Sequence, residues 1–367
     1  MKKMVYFFAA AAAAAAALMC SAVTSAAEFG LKPGNPEIKS ANSLAFGPTD
    51  VLFVGDTKSA TVFAISTGDT EGDASKATVE VSNIGVNLND MFSGPTTIND
   101  LVVNPTTGTV FVACETKGRP SIVKITEGGK RMHRISLNDV LYSSVVLADA
   151  PEDKVTGEGR RKRNNRADAI TDLAFFEGKL LISGLKTLGS PSSVRELDFP
   201  FVKSDKGIGV QIYHAAHGKE EDTSAMRTFV PLMIDGKPNL LGAYVCTPLV
   251  KIPLDALESV GGKVNATTVA ELGNRNKPLD MISYEKDGAE FLLLSNSARG
   301  VMKISTAGLT ENKGLTEPVR GGGTAGQGFD SVESMNGVVQ MDKLNDTHAV
   351  VLIDNNGSLD LKTVALP

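Results

Sequence analysis

The sequence has no tryptophan, four histidines and three cysteines among its 367 residues. Without an indole, the chain lacks the side chain on which sugar rings are most readily stacked, which argues against a carbohydrate-stacking site. Cys114 and Cys246 lie far apart in the sequence, and neither has a second ligand at the short spacing of structural zinc sites. We therefore expect no zinc at these cysteines and leave open whether the two thiols are free or bridged.

Positive charge is scarcer than negative charge. The chain has 37 lysine and arginine residues against 42 aspartate and glutamate residues, for a formal net charge of −5. Duplex nucleic acid and anionic membrane surfaces attract proteins with the opposite balance. The composition therefore argues against nucleic acid as a partner.

Long hydrophobic runs are confined to the N-terminus. Lys2 and Lys3 precede an apolar run from Met4 to Met19, and small residues follow as far as Ala27. This order is typical of a secretory signal peptide, and the run is short for a membrane-spanning helix. We expect cleavage after Ala27, and a periplasmic or secreted protein that has no membrane contact once the signal is removed.

A pattern of three short strands recurs six times in the rest of the chain. In the first copy Leu44–Phe46 is followed by Val51–Asp56 and Ala60–Ile65, with turn-forming residues between them. Repeats of about fifty residues built from such strands are typical of β-propeller blades. The sequence therefore predicts an all-β, six-bladed β-propeller as a single domain over residues 28–367, after a signal peptide at 1–27.

Three further expectations concern the number of blades, the closure of the ring and the outer strands. A seventh blade is the alternative, because Val140–Leu147 could pair as additional strands, and the residues at about 148–166 form a polar insertion. The sixth copy contains only three strands, so we expect a strand within Phe29–Lys39 to complete it and to close the ring. Fourth, outer strands are predicted at Ala77–Val81, His133–Leu137, Val210–Tyr213 and Thr267–Leu272.

The repeat resembles that of NHL and gluconolactonase (SMP-30-like) six-bladed propellers. The resemblance rests on Asp-Leu-Val-Val-Asn-Pro at 100–105 and Asp-Leu-Ala-Phe at 172–175, each placed before a second strand. It extends over nearly the whole mature chain and implies the propeller fold. The gluconolactonase type further implies a central divalent ion and an acidic general base. Nothing in the sequence indicates a nucleotide, haem or PQQ site.

Polar residues lie just before the inner strands of several copies, where the loops of a propeller converge on one mouth of its channel. Oxygen ligands from several blades suit Ca²⁺, so we predict Asp100, Asp172 and Asp280 as metal ligands and Asp172 and Asp280 as catalytic residues. The alternative is that each aspartate caps its turn by accepting backbone N–H groups. The other candidates at these junctions are expected to bind a ligand: Asn99, Asp168, Arg275 and Asn276.

His214 and His217 are the one closely spaced histidine pair, and Glu221 follows them. On a helix the two rings would share a face and could share a metal ion, whereas the strand predicted before them favours a loop pair. Arg227 follows in the same connection and would lie near the channel mouth if that connection crosses it. All three are candidate ligand-binding residues.

Two functions follow from these observations. The first is an exported binding or interaction protein that holds a small molecule or a protein partner over a polar channel mouth. The second is a Ca²⁺-dependent hydrolase of the lactonase or esterase type, with a channel aspartate as the base that activates water.

Overall fold

Six antiparallel sheets, each begun by one copy of the repeat, form the blades of a propeller in the computed structural model, which describes residues 29–159, 162–258 and 262–367. The second strand of a blade is covered on both faces, and Val51–Asp56 is accordingly buried along its whole length. The third strand begins to face solvent at one end, as in Thr61–Ser66. The six-bladed, all-β prediction is confirmed.

We number the blades 1 to 6 in the chain order of their innermost strands, and give each from the inner strand outward. Blade 1 contains Ser43–Phe46, Val51–Asp56, Thr61–Ser66, Val140–Val146 and Lys32–Gly34. Blade 2 contains Thr96–Val103, Val110–Thr116, Arg119–Thr126 and Arg131–Arg134. Blade 3 contains Asp172–Phe176, Lys179–Leu185, Ser192–Asp198, Ile208–His214 and Lys219–Glu221, and Lys263–Asn265 pairs in parallel with its fourth strand.

The remaining three blades follow the same plan. Blade 4 contains Thr228–Ile234, Lys237–Ala243, Pro248–Pro253, Thr267–Glu271 and Ala325–Gly326. Blade 5 contains Pro278–Lys286, Ala289–Asn296, Gly300–Ser305 and Phe329–Ser331. Blade 6 contains Val338–Lys343, His348–Asn355, Ser358–Ala365 and Glu80–Val81.

A few elements lie outside the blades. An α-helix, Ile84–Phe92, buries Ile84 and Leu88 against blades 2 and 6. The polar insertion forms a two-stranded hairpin from Val155–Thr156 and Arg163–Asn164. In the described part of the chain, no helix is both long and apolar enough to cross a membrane. The remaining short elements are 3₁₀ turns at Glu127–Gly129, Asn165–Asp168, Leu254–Glu258 and Glu333–Met335.

The blades are not arranged around the axis in chain order. Contacts between inner strands give the order 3, 4, 5, 6, 2, 1 and back to 3. The apolar cores agree: Phe53 of blade 1 packs with Ile170 and Leu173 at blade 3, and Val112 of blade 2 shares a core with Leu352 of blade 6. Blades 1 and 2 are therefore exchanged relative to a sequential ring.

The last blade is completed by a different strand from the one that the sequence predicted, and that prediction is wrong. Blade 6 is completed by Glu80–Val81, which pairs with Ser358–Ala365, and not by a strand within Phe29–Lys39. Val79 and Val81 are buried between blades 2 and 6, so this segment supplies the apolar cover that the last blade lacks. Lys32–Gly34 instead pairs with Val140–Val146.

Two further predictions are corrected by these strand pairings. Ala77–Val81 is not the outer strand of blade 1, because Val140–Val146 occupies that place. The seventh blade is thereby excluded, since Val140–Leu147 was the segment that could have formed it. The outer strands predicted at Val210–Tyr213 and Thr267–Leu272 are confirmed. The predicted signal peptide, 1–27, lies outside the described residues.

Candidate functional site

Three aspartates meet around the central channel at one level, which we call the aspartate tier: Asp100, Asp172 and Asp280. They stand on the inner strands of blades 2, 3 and 5. In the ring order they alternate with blades 1, 4 and 6, which carry other polar residues at the same level. Those residues are Ser43, Thr228 and Gln340, each one position before the N–H that a neighbouring aspartate binds.

Each aspartate of the tier joins two inner strands through its backbone partners. One oxygen accepts the N–H of the next residue in its own strand, at 2.8–2.9 Å. The other oxygen accepts an N–H from the adjacent blade: Asp100 from Leu44 at 2.7 Å, Asp172 from Phe229 at 2.9 Å and Asp280 from Met341 at 2.7 Å. Each aspartate therefore accepts a backbone N–H of its own strand, as the capping alternative predicts. It also accepts one from the neighbouring blade.

A fourth carboxylate, Asp342, was missed by the sequence reasoning. Its two oxygens accept the N–H groups of Lys343 and of Val103 in blade 2, both at 2.7 Å. It lies two residues beyond Gln340, so both side chains point to the same face of the inner strand. Gln340 occupies the position that carries aspartate in other copies of the repeat. An aspartate two residues after that position could have been recognised from the sequence as a residue of the same channel face.

The carboxyl groups around the channel hold their protons more tightly than ordinary aspartates. Burial away from bulk water raises the pKa of Asp172 to about 6 and of Asp342 to about 7. Burial and the charge of neighbouring carboxylates also raise the pKa of Asp100 and Asp280 well above the usual value. All four keep some solvent-accessible surface because they line the channel, so their protons can exchange with channel water.

The aspartate tier separates two cavities of different character. The entrance cavity, on the side where the inner strands begin, has a volume of about 260 Å³ and takes at least one polar side chain from every blade. These are Asn42, Asn99, Thr171, Arg227, Lys277 and Gln340. The exit cavity, on the other side, has a volume of about 460 Å³ and largely apolar walls that include Phe46, Phe175, Pro231, Met281 and Leu344.

The three carboxylates of the aspartate tier do not come close enough together in this arrangement for all of them to bind one calcium ion, and calcium at the channel stays a prediction. Two oxygens bound to one Ca²⁺ lie at most about 4.8 Å apart, twice a bond of about 2.4 Å. Among the described residues, the one group of three or more metal-binding side chains with ligand atoms that close together is at His214, not at the tier. Gln340 lies between two of the aspartates instead: with its amide turned to donate, its nitrogen is 2.8 Å from Asp100 Oδ1 and 3.1 Å from Asp280 Oδ2.

Two other predicted residues line the entrance cavity, and a third, Asp168, pairs with one of them. Asn99 lines the entrance cavity and donates to the carbonyl of Ala41 at 2.8 Å. Arg227 lines it as well, and its Nη1 is 2.7 Å from Asp168 Oδ1. The buried Nε of Arg227 has no hydrogen-bond partner among the residues that the structure describes. Asp168 thus orients the guanidinium without satisfying it.

The structure does not bring the other predicted residues to the channel. Arg275 is exposed with a left-handed backbone, φ 56°, and Asn276 is buried, where it ties Asn296 and the N–H of Ala298 together. Their neighbour Lys277 lines the entrance cavity instead. His214 is the last residue of the fourth strand of blade 3 and His217 lies in the turn after it, at the outer edge of the ring.

Comparison with known proteins assigns no function to this site. No protein-family model and no curated protein matches the chain. It is similar to a chain of the mitotic checkpoint complex (9% identity, TM-score 0.41, 92% of this chain and 96% of that one). It is also similar to the PQQ-bound aldose sugar dehydrogenase of Streptomyces coelicolor (12%, 0.32, 91% and 97%) and the Cps50 (Swd1) β-propeller domain of Myceliophteria thermophila (12%, 0.37, 89% and 84%).

Likenesses this distant carry no argument about function. The propeller rests on the strand pairing of the chain itself, and the fold-level resemblance to six-bladed propellers is confirmed. With no matching family model, the NHL or gluconolactonase type stays a prediction.

Proposed function

We propose that the protein is an exported binding module that holds a small polar ligand in the entrance cavity, above the aspartate tier. The observation that supports this function is that every blade contributes at least one polar side chain to the wall of that cavity. Binding sites typically orient a ligand with a few convergent polar groups. A volume of about 260 Å³ suits a small molecule better than a protein segment.

The chemistry of the wall favours a ligand that carries an acidic group or other hydrogen-bond acceptors. Arg227 and Lys277 provide cationic donors, and Asn42 and Asn99 can both donate and accept. The ion pair with Asp168 holds the guanidinium in one orientation before the ligand arrives, which lowers the entropic cost of binding. Below them, Asp172, whose pKa is about 6, is protonated in solutions more acidic than that and can then donate a hydrogen bond to a ligand oxygen.

A thermal-shift screen with small carboxylic acids, amino acids and sugar acids tests this function. A ligand present at a hundred times its Kd should stabilise the protein by about 2.7 kcal/mol. Arg227→Ala should abolish the shift, whereas Arg275→Ala, which changes an exposed arginine outside the cavity, should leave it intact. Arg227→Lys keeps the charge and should retain part of it. Equal shifts in wild type and Arg227→Ala would overturn the entrance cavity as the site.

A hydrolase of the lactonase or esterase type is the second candidate. The observation that favours it is the pKa of Asp172, about 6, since a carboxyl that titrates near neutral pH can act as a general base. Against it, both oxygens of Asp172 already accept backbone N–H groups. If Ca²⁺ and EDTA leave the Tm unchanged and a panel of lactones and aryl esters is not hydrolysed, this candidate fails.

A further inference from the structure

A short turn at the outer edge of blade 3 brings two histidines together. The strand Ile208–His214 ends in a turn in which the N–H groups of His217 and Gly218 bond back to the carbonyl of His214, at 3.0 and 2.8 Å. The turn is one helical turn in its hydrogen bonding, so residues three apart lie on the same side. The ring centroids of His214 and His217 are accordingly 3.8 Å apart.

Both rings present the same nitrogen to one carboxylate. Nδ1 of His214 is 2.7 Å from Glu221 Oε2, and Nδ1 of His217 is 2.9 Å from Glu221 Oε1. The three ligand atoms lie within 4.8 Å of one another. The ligand atoms of a tetrahedral zinc site are roughly 3.3 Å apart, so the two distances from Nδ1 to the carboxylate, 2.7 and 2.9 Å, would each lengthen by about half an ångström.

Two buried polar atoms in this region are left unsatisfied. His214 is 4% exposed, and its Nε2 has no partner in the described part of the chain. Glu271, on the fourth strand of blade 4, is fully buried; its Oε2 accepts the N–H of Ala216 in the histidine turn at 3.1 Å, while its Oε1 is unpartnered within the described ranges. Unpaired buried polar atoms are costly and call for a physical explanation.

We propose that His214, His217 and Glu221 form a binding site for a divalent transition-metal ion of the zinc type. Two imidazoles and one carboxylate are a ligand set of this class, with further positions left to water. The His217 side chain is 45% exposed, which leaves the site open to solvent on one side. Lys219 Nζ, 3.1 Å from Glu221 Oε1, is on a side chain 65% exposed and can move away when the ion enters.

Metal binding also gives the two unsatisfied atoms a use. An ion on Nδ1 of His214 places the ring proton on Nε2, which then needs an acceptor. Metal-bound histidines usually donate that proton to a carboxylate or carbonyl. Glu271 Oε1 is an unused acceptor beside the same turn, and it is not hydrogen-bonded to His214 Nε2 in this structure. We assign Glu271 as the residue that positions His214 once the ion is bound, after a movement of the ring or of the carboxylate.

Zn²⁺ titration of the full-length protein, after metal removal with a chelator and dialysis, tests the site. In competition with a chromophoric chelator, we expect one equivalent of Zn²⁺ to bind, and Co²⁺ to give the visible absorption of a nitrogen- and oxygen-ligated ion. His217→Ala and Glu221→Gln should each weaken binding by more than tenfold. Glu271→Gln should weaken it by about 10- to 100-fold without removing the Co²⁺ spectrum.

Another histidine of the chain provides a matched control variant. His133 is exposed on a strand of blade 2, and His133→Ala should bind Zn²⁺ as the wild type does. Because the His217 side chain is partly exposed, His217→Ala should fold, as circular dichroism can verify. Absence of stoichiometric Zn²⁺ binding, or equal affinity in His133→Ala and His217→Ala, would overturn the site. Neither result depends on the ligand of the entrance cavity.

Discussion

At the scale of single residues, the channel shows how one side-chain type can serve packing and chemistry together. A carboxylate removed from bulk water is costly unless donors surround it. Asp342 has two backbone N–H groups as partners, one from its own strand and one from blade 2, yet its pKa remains raised to about 7. The two donors therefore offset only part of the cost of burying the charge.

The pH dependence of stability reports this balance at Asp342. Its pKa in the folded protein, about 7, exceeds the ordinary 3.8, so the folded state binds more protons between these values and loses stability as the pH rises through them. Asp342→Asn removes that proton uptake. The stability that the variant loses relative to wild type should therefore be smaller at about pH 8 than at about pH 5, by roughly 1.4 kcal/mol for each pH unit of full proton uptake, in urea unfolding.

Asp346→Asn is the matched control, because its side chain is 95% exposed on the same hairpin. Its stability difference from wild type should be the same at both pH values. A cost of Asp342→Asn that does not change between the two pH values would contradict the raised pKa of Asp342.

At the scale of elements, two outer strands join blades other than the blade that they follow in the chain. The chain leaves blade 1 at Ser66, runs along blade 2, where Asp69 accepts from Asn104 at 2.8 Å, and adds Glu80–Val81 to blade 6. After completing blade 2 it returns as Val140–Val146 to blade 1. Blade 2 is thus bracketed by strands that immediately precede and follow it in the chain.

Val81→Ala tests the role of Glu80–Val81 in closing blade 6. Val81 is 6% exposed in the core between blades 2 and 6, so the substitution should lower the free energy of unfolding by about 1–3 kcal/mol. Glu80→Ala, on the exposed side of the same strand, should change it by less than about 0.5 kcal/mol. Equal effects of the two substitutions in chemical denaturation would mean that this strand does not close blade 6.

The sequence was sufficient for the blades but not for the partners of their outer strands. Apolar alternation in Ala77–Val81 shows that one face is buried, and it fits the edge of blade 1 or of blade 6 equally well. The structure pairs Val81 with Leu361 of blade 6, and periodicity does not encode that choice.

The same limit applies to the site. Asp100, Asp172 and Asp280 could be placed at the channel because the sequence pattern puts each at the predicted start of an inner strand. Arg275 could not be told from Lys277, since only the left-handed turn at Arg275 decides which of the two faces the entrance cavity. The meeting of His214 and His217 with Glu221 likewise depends on a turn that the strand pattern before it did not predict.

At the scale of the whole molecule, the ring order makes the two parts of the chain on either side of the insertion depend on each other. Residues 29–159 contain blades 1 and 2 and the outer strand of blade 6. Residues from 162 onward contain blades 3 to 5 and the other strands of blade 6. Apolar cores join the parts twice, between blades 1 and 3 and between blades 2 and 6, so neither part can bury its own apolar surface alone.

A single cut in the insertion should therefore leave one particle. With a protease recognition sequence in place of the exposed Gly157–Gly159, the cleaved protein should elute from size exclusion at the volume of the uncut protein, because both shared cores remain buried. Its urea midpoint should rise with protein concentration, since unfolding now separates two chains, whereas the midpoint of the uncut protein should not. Two separate folded fragments after cleavage would show that the cores between blades 1 and 3 and between blades 2 and 6 do not hold the ring together.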